Sequence, residues 1–329
     1  MNIIKANFEI IEQKYTKNDL LENMFKHIEI CGRTCYRSED KITEDSYEKF
    51  IAMLENSEHG AMLEHGTVYL WMEYGKDRDQ SHRIQKYLTN PHTKYNCIYD
   101  NYFITTNYRV MVENGWLDDL EYMCKPTEHH EKRYTVRFTY HLAVARDVNR
   151  HRVQSVGEES TRYCNYSKEK FGRKLNYIEP VFLTNVEKEI LNNPKARLPF
   201  KAMCNQIGNG LSYLSFEAID YFIFALEACE FAYINLIKLG WSAQKASLVL
   251  PLDTKTCSVH TAFISDWCHF FNLRALGTTG APRPSAKEVA WPLMEEFLKN
   301  GWITEDMINK EKYLQIKKKY PNIEDYIKL

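Results

Sequence analysis

Residues 146–166 read Arg146-Asp147-Val148-Asn149-Arg150-His151-Arg152-Val153-Gln154-Ser155-Val156-Gly157-Glu158-Glu159-Ser160-Thr161-Arg162-Tyr163-Cys164-Asn165-Tyr166. The segment before it, His141 to Val148, is apolar enough for a helix, which puts Arg150 to Arg152 at a helix carboxyl end. Cations are favoured there because the last carbonyls of a helix present negative charge. Further on, Glu158, Ser160 and Arg162 alternate, the spacing of side chains that share one face of an extended segment. Guanidinium forks bind phosphate bidentately, and hydroxyls with backbone amides complete such a cradle. The plain alternative is a solvated polar turn whose arginines pair with Glu158 and Glu159.

Working outward, Arg150-His151-Arg152-x-x-Ser155-x-x-x-x-Ser160-x-Arg162-Tyr163 resembles the signature of the flavin-dependent thymidylate synthases. Cys164-Asn165-Tyr166-Ser167 resembles one branch of that family. A second block follows the same pattern, with Leu250-Pro251 and then Asn272-Leu273-Arg274. The resemblance covers most of the chain. It implies an α+β fold, a mixed and largely antiparallel sheet flanked by helices, with insertions. It also implies methylation of dUMP at C5 to dTMP, with methylenetetrahydrofolate as carbon donor and NADPH-reduced FAD as hydride source. No cysteine nucleophile is needed, and this chain has no Pro-Cys-His element to present one. A homotetramer with sites between subunits is implied as well.

By the same resemblance Arg274 is the catalytic residue, holding the uracil ring and favouring its ionised form. Asp147, Arg150, Glu158, Ser160, Thr161 and Arg162 fall at dUMP-binding positions, with Ser160 to Arg162 around the phosphate. His59, Arg150, His151, Arg152, Glu158 and His269 fall at FAD positions; His59 opens the element His59-x-x-x-x-Glu64-His65. The chain also departs from the family. Ser247 stands where an arginine is usual, Asp147 replaces Gln or Glu, and Ala61 replaces a hydroxyl residue. Phe263 and Ser265 stand where Asn and Arg commonly contact flavin, and Arg283 lies near a usual His. Two other readings stay open, a folate-dependent pyrimidine nucleotide hydroxymethylase and a non-catalytic nucleotide- or RNA-binding relative. A formal net charge of -1 counts against RNA binding, which needs a basic field, so no nucleic-acid partner is expected.

With 329 residues and no repeat or low-complexity linker, the chain reads as a single domain, 1–329, with an insertion at 74–133. Nine scattered cysteines without a C-x-x-C pair read as free thiols in a reducing cytoplasm. Cys124 with His129 and His130 fits no common zinc spacing, so no metal is expected. No apolar run has membrane length, and the first residues lack a signal-peptide core.

Periodicity predicts the elements around the motif. Strands are expected at 3–11, 67–72, 102–108, 134–138 and 257–263, and helices at 19–31 closed by Gly32, after a Thr43 cap, and at 116–124. Residues 179–212 look loop-rich, and Gly208-Asn209-Gly210 lacks the preceding strand of a dinucleotide loop. Residues 216–239 form the longest helix, apolar nearly all round, and therefore a core or interface helix. Ser242 and Ser265 are expected caps, and Ser285 to Glu288 reads as a capping box opening a helix that Pro292 kinks. The tail, 304–329, is charged and loosely amphipathic.

Overall fold

The computed structural model describes residues 1–16, 19–57, 60–76, 78–209 and 216–329. Its described strands are β1 (Asn2–Ile4), β2 (Asn7–Ile11), β3 (Thr67–Glu73), β4 (Lys94–Ile98), β5 (Asn101–Asn107), β6 (Arg133–His141), β7 (Ser155–Glu158), β8 (Asn176–Ile178) and β9 (Lys255–Phe263). The central sheet has the order β2-β6-β9-β7 and is antiparallel throughout. A second antiparallel sheet runs β3-β5-β4, and β1 pairs with β8 in parallel. The fold is thus α+β with largely antiparallel sheets.

β9 is buried along its whole length, so both faces of the central sheet are covered. Alternation sends Val259 towards Cys31 of the helix Leu20–Tyr36, while Ala262 joins Trp267 and Phe271 on the opposite face. On that second face two helices converge. β6 runs into the helix Leu142–Val148, and β9 runs into Ile264–Arg274. The strands are antiparallel, with Arg133 opposite Phe263 and His141 opposite Lys255, so the helices start at opposite ends of the sheet. Their seven and eleven residues span roughly 10 and 16 Å. Nine strand residues span roughly 30 Å, so the helix ends meet near the middle of the sheet. Val144, Val148, Phe270, Phe271 and the helix Pro284–Lys299 seal this junction.

The second sheet buries Leu70 and Ile104 against the helices Ser46–Asn56, Arg78–Leu88 and Tyr108–Glu113. The helix Ala218–Lys238 covers β1 and β8 through Leu226 and Tyr233. No helix among the described residues is long and apolar enough to cross a membrane.

Several local expectations are corrected by packing. The strand at 3–11 is two strands, because β1 turns away to β8 while β2 pairs with β6. Gly32 lies inside the first helix, where an added Cβ would stand 2.7 Å from the Phe50 ring; the glycine permits this approach instead of ending the helix. Thr43 is no cap, since its own N–H donates to Ser46 Oγ at 2.8 Å and the helix starts at Ser46. Residues 117–122 wind as a 3-10 turn, with Asp119 buried between Arg83 and Tyr87. The supposed loop 179–212 holds the helices Asn185–Asn192, closed by a Thr184–Glu187 capping box, and Phe200–Asn209.

Neither Ser265 nor Ser285 caps. Ser265 Oγ donates to Glu131 at 2.6 Å, and Ser285 is buried one position after Pro284. Pro292 lies within a helix that continues to Lys299. The tail forms the helices Lys310–Lys319 and Ile323–Lys328 and buries Tyr313 and Ile316 in the main core. Ser242 does cap, accepting the Lys245 N–H at 3.4 Å. All nine cysteines are free thiols.

Candidate functional site

Where the two helix ends meet, Arg274 Nε donates to His151 Nε2 at 3.0 Å. One terminal nitrogen of Arg274 donates to the Asp147 carbonyl at 2.7 Å. An imidazole nitrogen that accepts carries no proton, so His151 is neutral in this arrangement. His151 is only 5 % exposed, edge-on to Phe270 and beside His269. Burial first, then the charges of Arg274 and His269, bring its pKa down to about 4. Burial likewise lowers the Arg274 pKa, opposed by the Asp147 charge. The Asp147 carboxylate takes Arg283 Nε at 3.1 Å, so Asp147 meets Arg274 through its backbone and Arg283 through its side chain. Among the described residues no acceptor meets the other terminal nitrogen of Arg274.

Among the described residues, the pairing of the arginines of 146–166 with Glu158 and Glu159 is absent. The side chains of Arg146, Arg150, Arg152 and Arg162 have no ion pair or hydrogen bond among the described residues. Glu159, 3 % exposed, takes Lys255 Nζ at 2.5 Å, the Tyr166 hydroxyl at 3.1 Å and Arg37 at 3.6 Å. Glu158 accepts from Asn149 Nδ2 at 2.7 Å and Thr256 Oγ1 at 3.2 Å. Burial raises its pKa, and those two bonds oppose the rise. The adjacent glutamates therefore differ: Glu159 is a buried counter-ion, and Glu158 is a half-buried acceptor next to the arginine run.

Beneath that run, Gln154 Oε1 meets His260 Nδ1 at 3.0 Å, and His260 Nε2 meets Ser258 Oγ at 2.9 Å. Burial brings the His260 pKa down to about 3. Asn149 Oδ1 and Gln154 Nε2 are buried without partners, one on each side of Arg150 to Arg152. These two residues, with Thr256, were missed by sequence reasoning. They occupy unmarked positions of the motif or a distant strand, and being polar was their only signal.

The expected residues fall into two groups. Arg274, Asp147, Arg150, His151 and His269 gather at the helix junction, and Asn149 links Glu158 to them. Ser160, Thr161 and Arg162 belong to a turn in which the Ser160 carbonyl accepts from Tyr163 and Cys164. The alternating face expected for Glu158, Ser160 and Arg162 is therefore broken. The Ser160 N–H donates to the Cys35 carbonyl at 3.0 Å, which fastens this turn to the end of the first helix. Arg162 lies 5.6 Å from the Tyr163 ring. His59 lies outside the described residues.

Of the departures, Phe263 lies beneath Lys94 and Arg133, at 4.6 and 5.4 Å from its ring. Ser265 is engaged by Glu131 and Lys94. Two positions that the resemblance gives to flavin are thus taken up by Lys94, Glu131 and Arg133. Exposed Arg150 and Arg152, without acceptors and backed by unsatisfied Asn149 and Gln154 atoms, still fit a cofactor that carries a diphosphate.

A family model described as thymidylate synthase complementing protein matches residues 116–300, more than half of the chain. Two solved structures of the UMP/dUMP methylase PolB from Streptomyces cacaoi align at 15% identity. The one bound with 5-Br dUMP covers 91% of this chain and 93% of that chain at a TM-score of 0.38. The one bound with 5-Br UMP covers 91% and 92% at a TM-score of 0.39. A comparison with curated protein sequences finds no match.

Proposed function

The chain belongs to the thymidylate synthase complementing protein family, and from that premise we propose that it methylates dUMP at C5 to dTMP. The carbon donor is methylenetetrahydrofolate, and the electrons come from NADPH through FAD. The observation that carries this reading is the Arg274 guanidinium, fixed on one edge by neutral His151 and the Asp147 carbonyl, with no acceptor among the described residues on its other terminal nitrogen. A cation at a ring oxygen and nitrogen stabilises the deprotonated uracil, whose negative charge makes C5 nucleophilic. His151 orients that cation without adding charge. Ser160, Thr161 and Arg162 hold the phosphate, with Arg150 between nucleotide and cofactor. Arg150, Arg152, His151, Glu158, His269 and His59 are the proposed flavin residues. When bound, reduced FAD supplies the hydride that completes the methyl group.

Thiol chemistry is unsupported at the helix junction and at the Ser160 turn. Burial pushes the thiols of Cys35 and Cys164 up to about 12 and that of Cys268 up to about 11, so thiolate is scarce at neutral pH. A homotetramer with sites between subunits is also proposed. Only Ile219, Ile223, Leu226 and Tyr233 of the apolar helix Ala218–Lys238 are buried, and Tyr221, Phe231, Leu239 and Trp241 are exposed.

The deciding experiment incubates the protein with dUMP, methylenetetrahydrofolate, FAD and NADPH and identifies the product by mass. Thymidylate formed only with NADPH is expected. The altered surroundings of Phe263 and Ser265 favour a second reading, in which water replaces hydride and the product is hydroxymethylated. A product one oxygen heavier, formed without NADPH, would establish that reading. Saturable FAD binding by fluorescence titration is the accompanying check.

A further inference from the structure

Beside the Ser160 turn lies a cleft of about 570 Å³, between the end of the helix Leu20–Tyr36 and the helix Ser46–Asn56. Four cations line it, Arg33, Lys41, Lys49 and Lys170, over an apolar floor of Phe50 and Met53. Arg33 is already neutralised, held by Glu29 at 2.8 and 3.0 Å and stacked 4.7 Å from the Phe50 ring. The three lysines are not. Lys41 and Lys49 have no ion pair among the described residues, and Lys170 Nζ donates to the Arg37 carbonyl at 2.9 Å. Among the described residues no carboxylate lines the cleft. Such a cleft selects an anion, and the exposed Met53 side chain gives an aromatic ring an apolar surface to lie on.

The cleft adjoins the proposed phosphate turn. Tyr36, on its wall, lies 6.1 Å from the Tyr163 ring, and the preceding Cys35 carbonyl holds the Ser160 N–H. The nucleotide and the flavin have residues assigned to them above, whereas the carbon donor has none. That donor is a reduced pteridine joined through an aminobenzoyl ring to one or more glutamates. We propose that this cleft binds the aminobenzoyl ring and glutamate tail of the folate, with the ring on Met53 and the carboxylates among Lys41, Lys49 and Lys170. This inference rests on the proposed use of methylenetetrahydrofolate. Its consequence is that binding tightens with tail length, since each added glutamate brings one more carboxylate. Exposed ion pairs are individually weak and screened by salt, so the gain is modest and falls as ionic strength rises.

The test compares KM for monoglutamyl and pentaglutamyl methylenetetrahydrofolate in the full chain and in the variant Lys41→Ala/Lys49→Ala. In the unmodified protein the pentaglutamate KM is expected to be about tenfold lower, shrinking to about twofold in the variant, while KM for dUMP changes little. An equal ratio in both proteins, or no tail preference in the unmodified one, overturns the proposal. Equilibrium binding of pteroylpentaglutamate, followed by fluorescence, reads the cleft without turnover, so it separates this inference from a failure of the proposed reaction. Affinity that falls several-fold in the variant and with added salt supports the cleft as the tail site. Unchanged affinity, or tighter lysine-dependent binding of inorganic tripolyphosphate than of the pentaglutamate, overturns it.

Discussion

At the helix junction Arg274, His151, Asp147 and Arg283 are bonded to one another before any ligand arrives. In the Ser160 turn only the backbone is fixed, through Cys35, and the Arg162 side chain lies on the surface with an aromatic ring as its neighbour. One region is preorganised and the other adaptable. The difference matches the proposed tasks. A cation that stabilises charge developing on a ring is effective when nothing must rearrange at the moment of reaction. A cation that captures a phosphate needs reach, and it orders its side chain on binding at a cost of about 0.5–1.5 kcal/mol.

The sharpest way to break this contrast is Arg274→Ala. Turnover is expected to fall by about 10³-fold. Thermal melting should stay within a few degrees of the parent, because the residue is half-buried at a surface junction and outside the core cluster. Turnover near the parent rate would remove Arg274 from the ring. Next comes the pair of adjacent glutamates. Glu159→Ala leaves Lys255, 7 % exposed, without its carboxylate, and urea unfolding should register a loss of about 3–5 kcal/mol. Glu158→Gln should cost less than about 1 kcal/mol, since an amide oxygen still accepts from Asn149. Equal losses would show that the two glutamates share one role.

Arg162→Ala should raise KM for dUMP by about 10- to 100-fold, the worth of one charge-assisted hydrogen bond, with no change in melting temperature. A shift in melting would mean that the turn is structural. The mildest effect is on acid stability. His27, His151 and His260 have pKa values lowered chiefly by burial to about 3, 4 and 3, below the unfolded value of about 6.5. Between these limits the unfolded chain binds more protons, so stability is complete above about pH 6.5 and declines as pH falls towards 4. The slope is at most about 1.4 kcal/mol per pH unit for each histidine. His260→Gln should flatten the urea-midpoint profile by about one proton, and an unaltered slope would contradict its buried neutral state.

Much of this was readable along the chain. The strands and long helices follow periods of 2 and 3.6, which are local properties, and the order of fixed polar residues from Arg150 to Tyr163 carries the family on its own. The failures share a different cause. Ser265 and Ser285 have the chemistry of caps, yet one is claimed by Glu131, distant in sequence, and the other by burial. Gly32 has the chemistry of a helix stop, but a neighbouring ring requires it within the helix. Local propensity amounts to about 1 kcal/mol at such positions, and tertiary contacts override it.

The sequence by itself determined which side chains are available: the arginine run, Arg274 and the absence of a Pro-Cys-His element. Only the tertiary structure decided what each one does. Glu158 and Glu159 are neighbours of one residue type, and their roles separate because β7 turns one towards Asn149 and Thr256 while the next residue meets Lys255. His151 and Arg274 lie 123 positions apart, and what brings them together is the antiparallel register of β6 and β9. That register sets two helices of fitting length running towards each other over one face of the sheet, and no local pattern in the chain encodes where their ends meet.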